Sequence, residues 1–226
     1  MVVSAVEGHR LWAPVYDSNP NPLLALEGRI VRGFLCGVRP ERMIDVACGT
    51  GRWMLYFRQT GAAVTGVDSC REMLMQAARH DALRNRLILA DAQNIPLADE
   101  IADLVICSFA ASYTGDLGRL MGEIARITAP GGNVVVSDMH HLAAAAGWRR
   151  SFKIGVTVYE LEHADRSPGE IRAAGEAHGL RFDREEEASF DEEEHAIFAR
   201  AGKQHLYARV REIPAVWASM WTKPCY

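Results

Sequence analysis

The run Met43-Ile44-Asp45-Val46-Ala47-Cys48-Gly49-Thr50-Gly51-Arg52-Trp53 is a short apolar stretch that breaks into a glycine-bracketed turn and then resumes as a helical pattern. It predicts a buried strand, a tight loop and a helix N-terminus. Gly49 and Gly51 can take positive φ and carry no Cβ, so a ligand can lie against the backbone there, beside helix N–H groups that have no intrahelical partner. A charged or polar small molecule is the expected occupant.

Downstream of this stretch, strand-like and helical patterns alternate. Residues 64–68 predict a strand ending in Asp68, 72–80 a helix, 86–90 a strand leading to Asp91, and 103–109 a strand apolar nearly throughout, as a central parallel strand should be. Residues 117–127 predict a helix closed by the turn Pro130-Gly131-Gly132, and 133–138 a fifth strand. Strands separated by helix-length segments imply right-handed crossovers, hence an α/β fold with a doubly wound, mostly parallel sheet. Ligands of such sheets sit at the carboxyl ends of the strands, where Asp68, Asp91, Ser108 and Asp138 fall.

Upstream, Asp17-Ser18-Asn19-Pro20-Asn21-Pro22 is a cluster of turn and cap residues, with Asn21 the expected N-cap and Pro22 the first residue of a helix stopping near Gly37. Trp12 and Tyr16 flank an irregular segment before it, either as core aromatics or as a flap over a ligand. After Asp138, residues 152–163 predict a hairpin turning near Gly155, with Thr157, Tyr159, Leu161 and His163 on one face. Ser167-Pro168-Gly169-Glu170 reads as a capping box before a helix that ends at Gly179. Residues 180–190 predict a sixth strand and 215–221 a seventh. No helix-length spacer with a clear apolar face precedes that last run, so an antiparallel hairpin entry is expected.

The chain of 226 residues, 49% of them apolar, is long enough for one sizeable core. A single domain over 1–226 is expected: an N-terminal helical flap (1–40), a cofactor-binding core (41–138), a substrate cap insertion (139–179) and C-terminal strands (180–226). The net charge of −4 and the acid-rich run 185–194 offer no basic stripe for a phosphate backbone, so nucleic acid is not an expected partner. That acidic run and Arg149-Arg150 are expected to be solvated. The five cysteines show no CxxC pairing, and no apolar run reaches membrane-spanning length. A cytoplasmic protein with no membrane association, monomeric or homodimeric, is expected.

The dinucleotide fingerprint asks for a small residue where this chain has Met54, which counts against a nicotinamide-dependent oxidoreductase, the alternative enzyme class. Asp68 follows Gly49 by 19 residues (68 − 49), near the spacing of an acid that binds a ribose diol. An adenosine without pyrophosphate would use Asp68 for its ribose, with Asp91 placed for the adenine amine. These motifs, with Trp12 to Asp17 before the first helix, Gly66-Val67-Asp68, Ala90-Asp91-Ala92, Ala102 to Val105 and Pro130-Gly131-Gly132, resemble the class I S-adenosylmethionine-dependent methyltransferases. The resemblance is to the small-molecule group similar to ubiquinone/menaquinone biosynthesis methyltransferases, the type 11 kind, and runs from about Trp12 to Ser137. Ala47 stands where that family often has glycine.

The resemblance implies a Rossmann-like seven-stranded sheet whose last strand is antiparallel and inserted between the fifth and sixth. It also implies S-adenosyl-L-methionine as cofactor, with Asp45 organising the loop around the methionine portion. The expected cofactor-binding set is Tyr16, Asp45, Ala47, Gly49, Gly51, Asp68, Ser69, Asp91, Ala92 and Ser108. Methyl transfer to O, N or C of a small, aromatic or heterocyclic metabolite follows; binding of the cofactor without transfer is the other alternative. Oxygen or nitrogen acceptors need a base, for which His140, His141 and His163 are the candidates beside the blander reading of capping or surface histidines. Trp12, Tyr113 and Tyr159 are the expected substrate contacts, and no metal site is expected.

Overall fold

Period-two alternation sorts the apolar residues of the central strands onto two faces of one sheet. In the computed structural model, which describes residues 1–18, 20–200 and 202–225, the glycine stretch lies at the carboxyl edge of that sheet. Asn19 of the predicted turn cluster lies outside the described residues. In chain order the elements are β1 (Val2–Val3), α1 (Ala5–Trp12), a 3-10 segment (Ala13–Ser18), α2 (Pro22–Phe34), β2 (Arg42–Val46), α3 (Arg52–Arg58), β3 (Ala63–Asp68), α4 (Arg71–Ala77), β4 (Leu87–Leu89) and β5 (Ala102–Ser108). A 3-10 turn (Ala111–Tyr113) follows, then α5 (Leu117–Ile127), β6 (Thr128–Met139), α6 (His141–Ala145), β7 (Ser151–Ile154), β8 (Thr157–Leu161), α7 (Pro168–Ala177), β9 (Arg181–Ala188), α8 (Glu192–Arg200), α9 (Gln204–Val210) and β10 (Val216–Thr222).

The large sheet has the order β4-β3-β2-β5-β6-β10-β9. Neighbours from β4 to β6 run parallel, and β10 is antiparallel to both β6 and β9. This is the doubly wound, Rossmann-like α/β sheet with an inserted antiparallel last strand. Leu104 and Ile106 of β5 and Val135 of β6 enter one apolar layer with α2, α3, α8 and α9. Val105, Cys107, Val134 and Val136 enter the opposite layer, with α5, α7, Trp217 and Trp221.

Local chemistry sets the boundaries. The Asn21 side chain accepts from Leu23 N–H and Pro22 occupies the first turn of α2. At α7 both halves of the Ser167–Glu170 capping box form, which satisfies two otherwise orphaned donors. Pro130-Gly131-Gly132 does not end a helix as a free turn; it forms an irregular head of β6, where the register with β5 shifts between Ala102 and Leu104. A Cβ on Gly132 would stand 2.8 Å from the Ala129 carbonyl, so the bulge requires glycine there.

Several expectations are corrected. Residues 12–16 are not irregular: Ser4 caps α1, which ends at Trp12, and the 3-10 segment follows it directly. β10 is not reached by a simple hairpin, because α8 and α9 stand between it and β9. The acidic run is not uniformly solvated, since the Glu194 side chain is buried and paired with Arg29 at 3.2 Å. The hairpin β7/β8 forms as expected, and β1 joins it in parallel to make a separate three-stranded sheet.

Candidate active site

β2 ends at Val46, and the chain turns through three left-handed residues before α3: Ala47 at φ 57°, Gly49 at φ 53° and Gly51 at φ 87°. Ala47 pays the steric cost of that region, on the order of 1–2 kcal/mol, which its glycine neighbours escape. A Cβ on Gly51 would lie 2.6 Å from Leu83 Cδ1, whereas one on Gly49 would meet nothing within 4 Å. The backbone is therefore packed from below at Gly51 and open at Gly49.

Asp68, at the end of β3, braces this loop. Its Oδ2 accepts from Gly49 N–H at 2.7 Å and its Oδ1 from Cys70 N–H at 2.8 Å, which leaves the carboxylate with acceptor capacity. Burial raises its pKa, opposed by the N–H groups of Cys70, Gly49 and Ser69. Asp45, below the loop, is wholly enclosed, and burial pushes its carboxyl up to about 8, against the pull of Arg52. Asp91 is exposed and accepts from Gln93 N–H at 2.8 Å, with Ala92 packed on the sheet's core and Ser69 exposed. No side-chain hydrogen bond links Asp91 to Asp68 among the described residues, although Ala90 N–H donates to the Asp68 carbonyl at 3.0 Å.

The N-terminal segment closes over the loop. Thr50 Oγ1 donates to Asp17 at 3.2 Å, and Tyr16 packs with Ala13 against Cys70 and Met73, a burial that raises its hydroxyl pKa to about 12. Trp12 lies 4.8 Å from Tyr16 and stacks on Phe152 of β7 at 4.9 Å, and Phe152 stacks in turn on Tyr159 of β8. On the other side of Trp12, His9 meets Tyr113 edge-on at 4.9 Å, and Tyr113 meets His163 at 6.5 Å. Trp12, Tyr16, Tyr113, Tyr159 and His163 are thus brought into one aromatic cluster, with His9 and Phe152 as its links, between the N-terminal segment, the 3-10 turn and the hairpin.

His140 and His141 are placed elsewhere. His140 Nδ1 accepts from Leu142 N–H at 3.1 Å as the cap of α6, and its Nε2 lies 3.0 Å from Glu187 of β9. The two imidazoles stack on each other at 4.5 Å. Burial lowers the His140 pKa, with Glu187 opposing.

Three parts of the site were not read from the sequence. His9 joins the cluster with its pKa lowered to about 4 by burial. Arg150 is not solvated: its side chain is 8% exposed and its Nη2 pairs with Asp138, also reaching Ser112 Oγ at 3.2 Å, while its guanidinium lies over the Tyr113 ring at 4.9 Å. Glu27 of α2 is fully buried; it accepts from Arg52 at 2.6 Å, from Trp53 Nε1 at 3.3 Å and from the hydroxyls of Ser108 and Ser137 at 2.8 Å each. Ser108, expected at the cofactor, is engaged by Glu27 and by Arg52 at 3.2 Å. The signal for Glu27 was an acid on the same helical stripe as Ile30, Val31 and Phe34; His9 and Arg150 carry none. Among the described residues no three His, Cys, Asp or Glu side chains are grouped to hold a metal ion.

Residues 44–136 match the family model of a methyltransferase domain. Over 98 residues the chain is 37% identical to the malonyl-[acyl-carrier protein] O-methyltransferase of Pectobacterium atrosepticum, a span covering 43% of this chain and 38% of that protein. Over 149 residues it is 31% identical to methyltransferase GfsG of Streptomyces halstedii, covering 60% and 52%. The chain thus spans about two-fifths to one-half of the length of these relatives. In fold it is similar to an S-adenosylmethionine-dependent methyltransferase of Mesorhizobium loti (TM-score 0.67, 22% identity, 87% of this chain and 97% of that one). It is similar also to geranyl diphosphate C-methyltransferase of Streptomyces coelicolor (TM-score 0.61, 14% identity, 87% and 79%).

Proposed function

With a methyltransferase domain over residues 44–136 as its frame, the chain is, we propose, an S-adenosylmethionine-dependent methyltransferase acting on a small aromatic or heterocyclic metabolite. The observation that carries this reading is the Asp68–Gly49 brace: an acid with acceptor capacity to spare beside a left-handed loop that is open at Gly49. Those groups fit a ribose diol laid against backbone. Met54 is wholly buried beneath the loop, which supports an adenosine ligand over a dinucleotide, whose fingerprint has a small residue there.

When bound, S-adenosylmethionine supplies a methyl group already activated on a sulfonium. The protein's share is then alignment and exclusion of water, and alignment of this kind is worth about 7–11 kcal/mol in favourable cases. Asp68 and the Gly49–Gly51 backbone hold the nucleoside end, and Asp45 supports the loop from beneath. Trp12, Tyr113 and Tyr159 would contact a flat acceptor, with Tyr16 on the cofactor side. His163 is the base for an O or N acceptor: its Nδ1 lies 2.9 Å from the Leu161 carbonyl and its Nε2 3.6 Å from Asp165, a carboxylate that would stabilise the imidazolium formed when the ring takes a proton. The protein acts in the cytoplasm, as a monomer or homodimer. Among the described residues no helix is long and apolar enough to cross a membrane.

Calorimetric titration with S-adenosylmethionine and its demethylated product tests the reading. Both should bind with one site per chain, and Asp68→Ala should weaken them by roughly 1.5–3 kcal/mol, as for a lost charge-assisted hydrogen bond. Absence of binding to either compound would refute it.

A further inference from the structure

Arg32 and Arg52 converge on a single point beside α2. The place where a Cβ on Gly28 would sit lies 2.8 Å from Arg32 Nη1 and 3.5 Å from Arg52 Nη1, so the missing side chain lets two guanidinium tips share one space. Like charges held this close repel unless something negative joins them. The nearby acid, Glu27, already accepts from Arg52 Nη2, the Trp53 indole and two serine hydroxyls, and no bond from Arg32 to it is present among the described residues. Arg32 is exposed and has no carboxylate partner among the described residues. Two cations against one acid leave an uncompensated positive charge.

That charge opens onto a groove of about 420 Å³ between α2 and α3, whose wall includes Leu24, Leu55 and Tyr56 beside the two arginines. Tyr56 is partly exposed there. The arrangement is a cationic floor with an apolar and aromatic wall. Guanidinium forks match the oxygens of carboxylates and phosphates, and a pair of them can take one such group from two sides.

We propose that the α2–α3 groove is a binding site for a small organic oxyanion, an aryl or alkyl carboxylate or phosphomonoester, held by Arg32 Nη1 and Arg52 Nη1 over Gly28 with its apolar body against Tyr56. Only the free Nη1 of Arg52 is needed, so its Nη2 stays on Glu27 and Ser108. The site shares Arg52 with the end of the glycine stretch, but Arg32 belongs to the groove alone, so Arg32→Gln separates the two readings.

Calorimetric titration of the full chain with phenyl phosphate, benzoate and neutral phenol tests it. One or both anions should bind with one site per chain, identifying a phosphomonoester or a general oxyanion site, while phenol should not bind. Arg32→Gln changes an exposed side chain and should weaken the anion about tenfold, the effect of about 1.4 kcal/mol. Gly28→Ala should also weaken it, because the new methyl occupies the meeting point and displaces the flexible Arg32 tip, while the melting temperature is kept. Failure of both anions to bind, equal binding of phenol, or unchanged affinity in Arg32→Gln would each overturn the assignment.

Discussion

Glu27 occupies a position on α2 that helical periodicity would give to an apolar side chain, since Ile30, Val31 and Phe34 follow it at three, four and seven residues. Four donors on three other elements converge on its carboxylate, so it acts as the point where α2, α3, β5 and β6 are registered to one another. Removing it would strand Arg52 and two serine hydroxyls. Breaking a wholly buried pair costs about 3–5 kcal/mol, but Arg52 keeps about a third of its exposure and can rehydrate. Glu27→Ala should therefore lower the stability by roughly 2–3 kcal/mol in urea unfolding, and Glu27→Gln, which keeps acceptor and shape, should lower it less.

Arg150, at the base of the cap hairpin, ties it to the sheet. Asp138, at the end of β6, is buried without exposure and accepts from Ser112 N–H and Met139 N–H as well as Arg150. Loss of Arg150 leaves that carboxylate buried without its counter-charge, so Arg150→Ala should cost about 3–5 kcal/mol. Its unfolding should also show protease cleavage in β7 and β8 before the sheet melts. This fastening was not legible in the sequence. Arg149-Arg150 reads as a solvated pair because nothing local marks which of the two turns inward; Arg149 does remain half-exposed beside Glu160. The strands and helices of the core were legible because burial on particular faces imposes a period, and the N-caps, the one capping box and the glycines mark their ends. The N-terminal α1 and the α8–α9 pair were not, since their apolar stripes are short and their packing is decided by distant partners. Likewise the left-handed loop and Asp68 were written in local spacing, whereas Arg150, His9 and Glu27 joined the site only through tertiary contacts.

At the scale of the molecule, two buried titrations oppose each other. Native Asp45 holds its proton to about 8, whereas the unfolded side chain releases it near 3.8, so its contribution is lost as pH rises through that interval. Native His9 stays neutral down to about 4 while the unfolded imidazole protonates near 6.5, so its contribution is lost as pH falls between those values. Below 6.5 the two slopes offset, and above it only that of Asp45 remains. Stability should fall between pH 6.5 and 8 at up to about 1.4 kcal/mol per unit from Asp45, and Asp45→Asn, which imitates the protonated acid, should flatten that slope in denaturation curves measured across the range.

Pairing of β1 with β8 joins Val2 and Val3 to Glu160 and Leu161, residues separated by nearly the whole core in sequence. Closing so long a segment for two short strands is entropically late, because the ends meet only after the intervening sheet has drawn them together. The aromatic cluster is therefore the last part to assemble and the first to come undone. The amides of Glu160 and Glu162, bonded to Met1 and Val3 carbonyls, should exchange with deuterium far sooner than those of β5 and β6. In kinetic terms the expectation is a slow-melting sheet under a roof that opens on its own, so that the three-stranded sheet can part while the seven-stranded one stays closed.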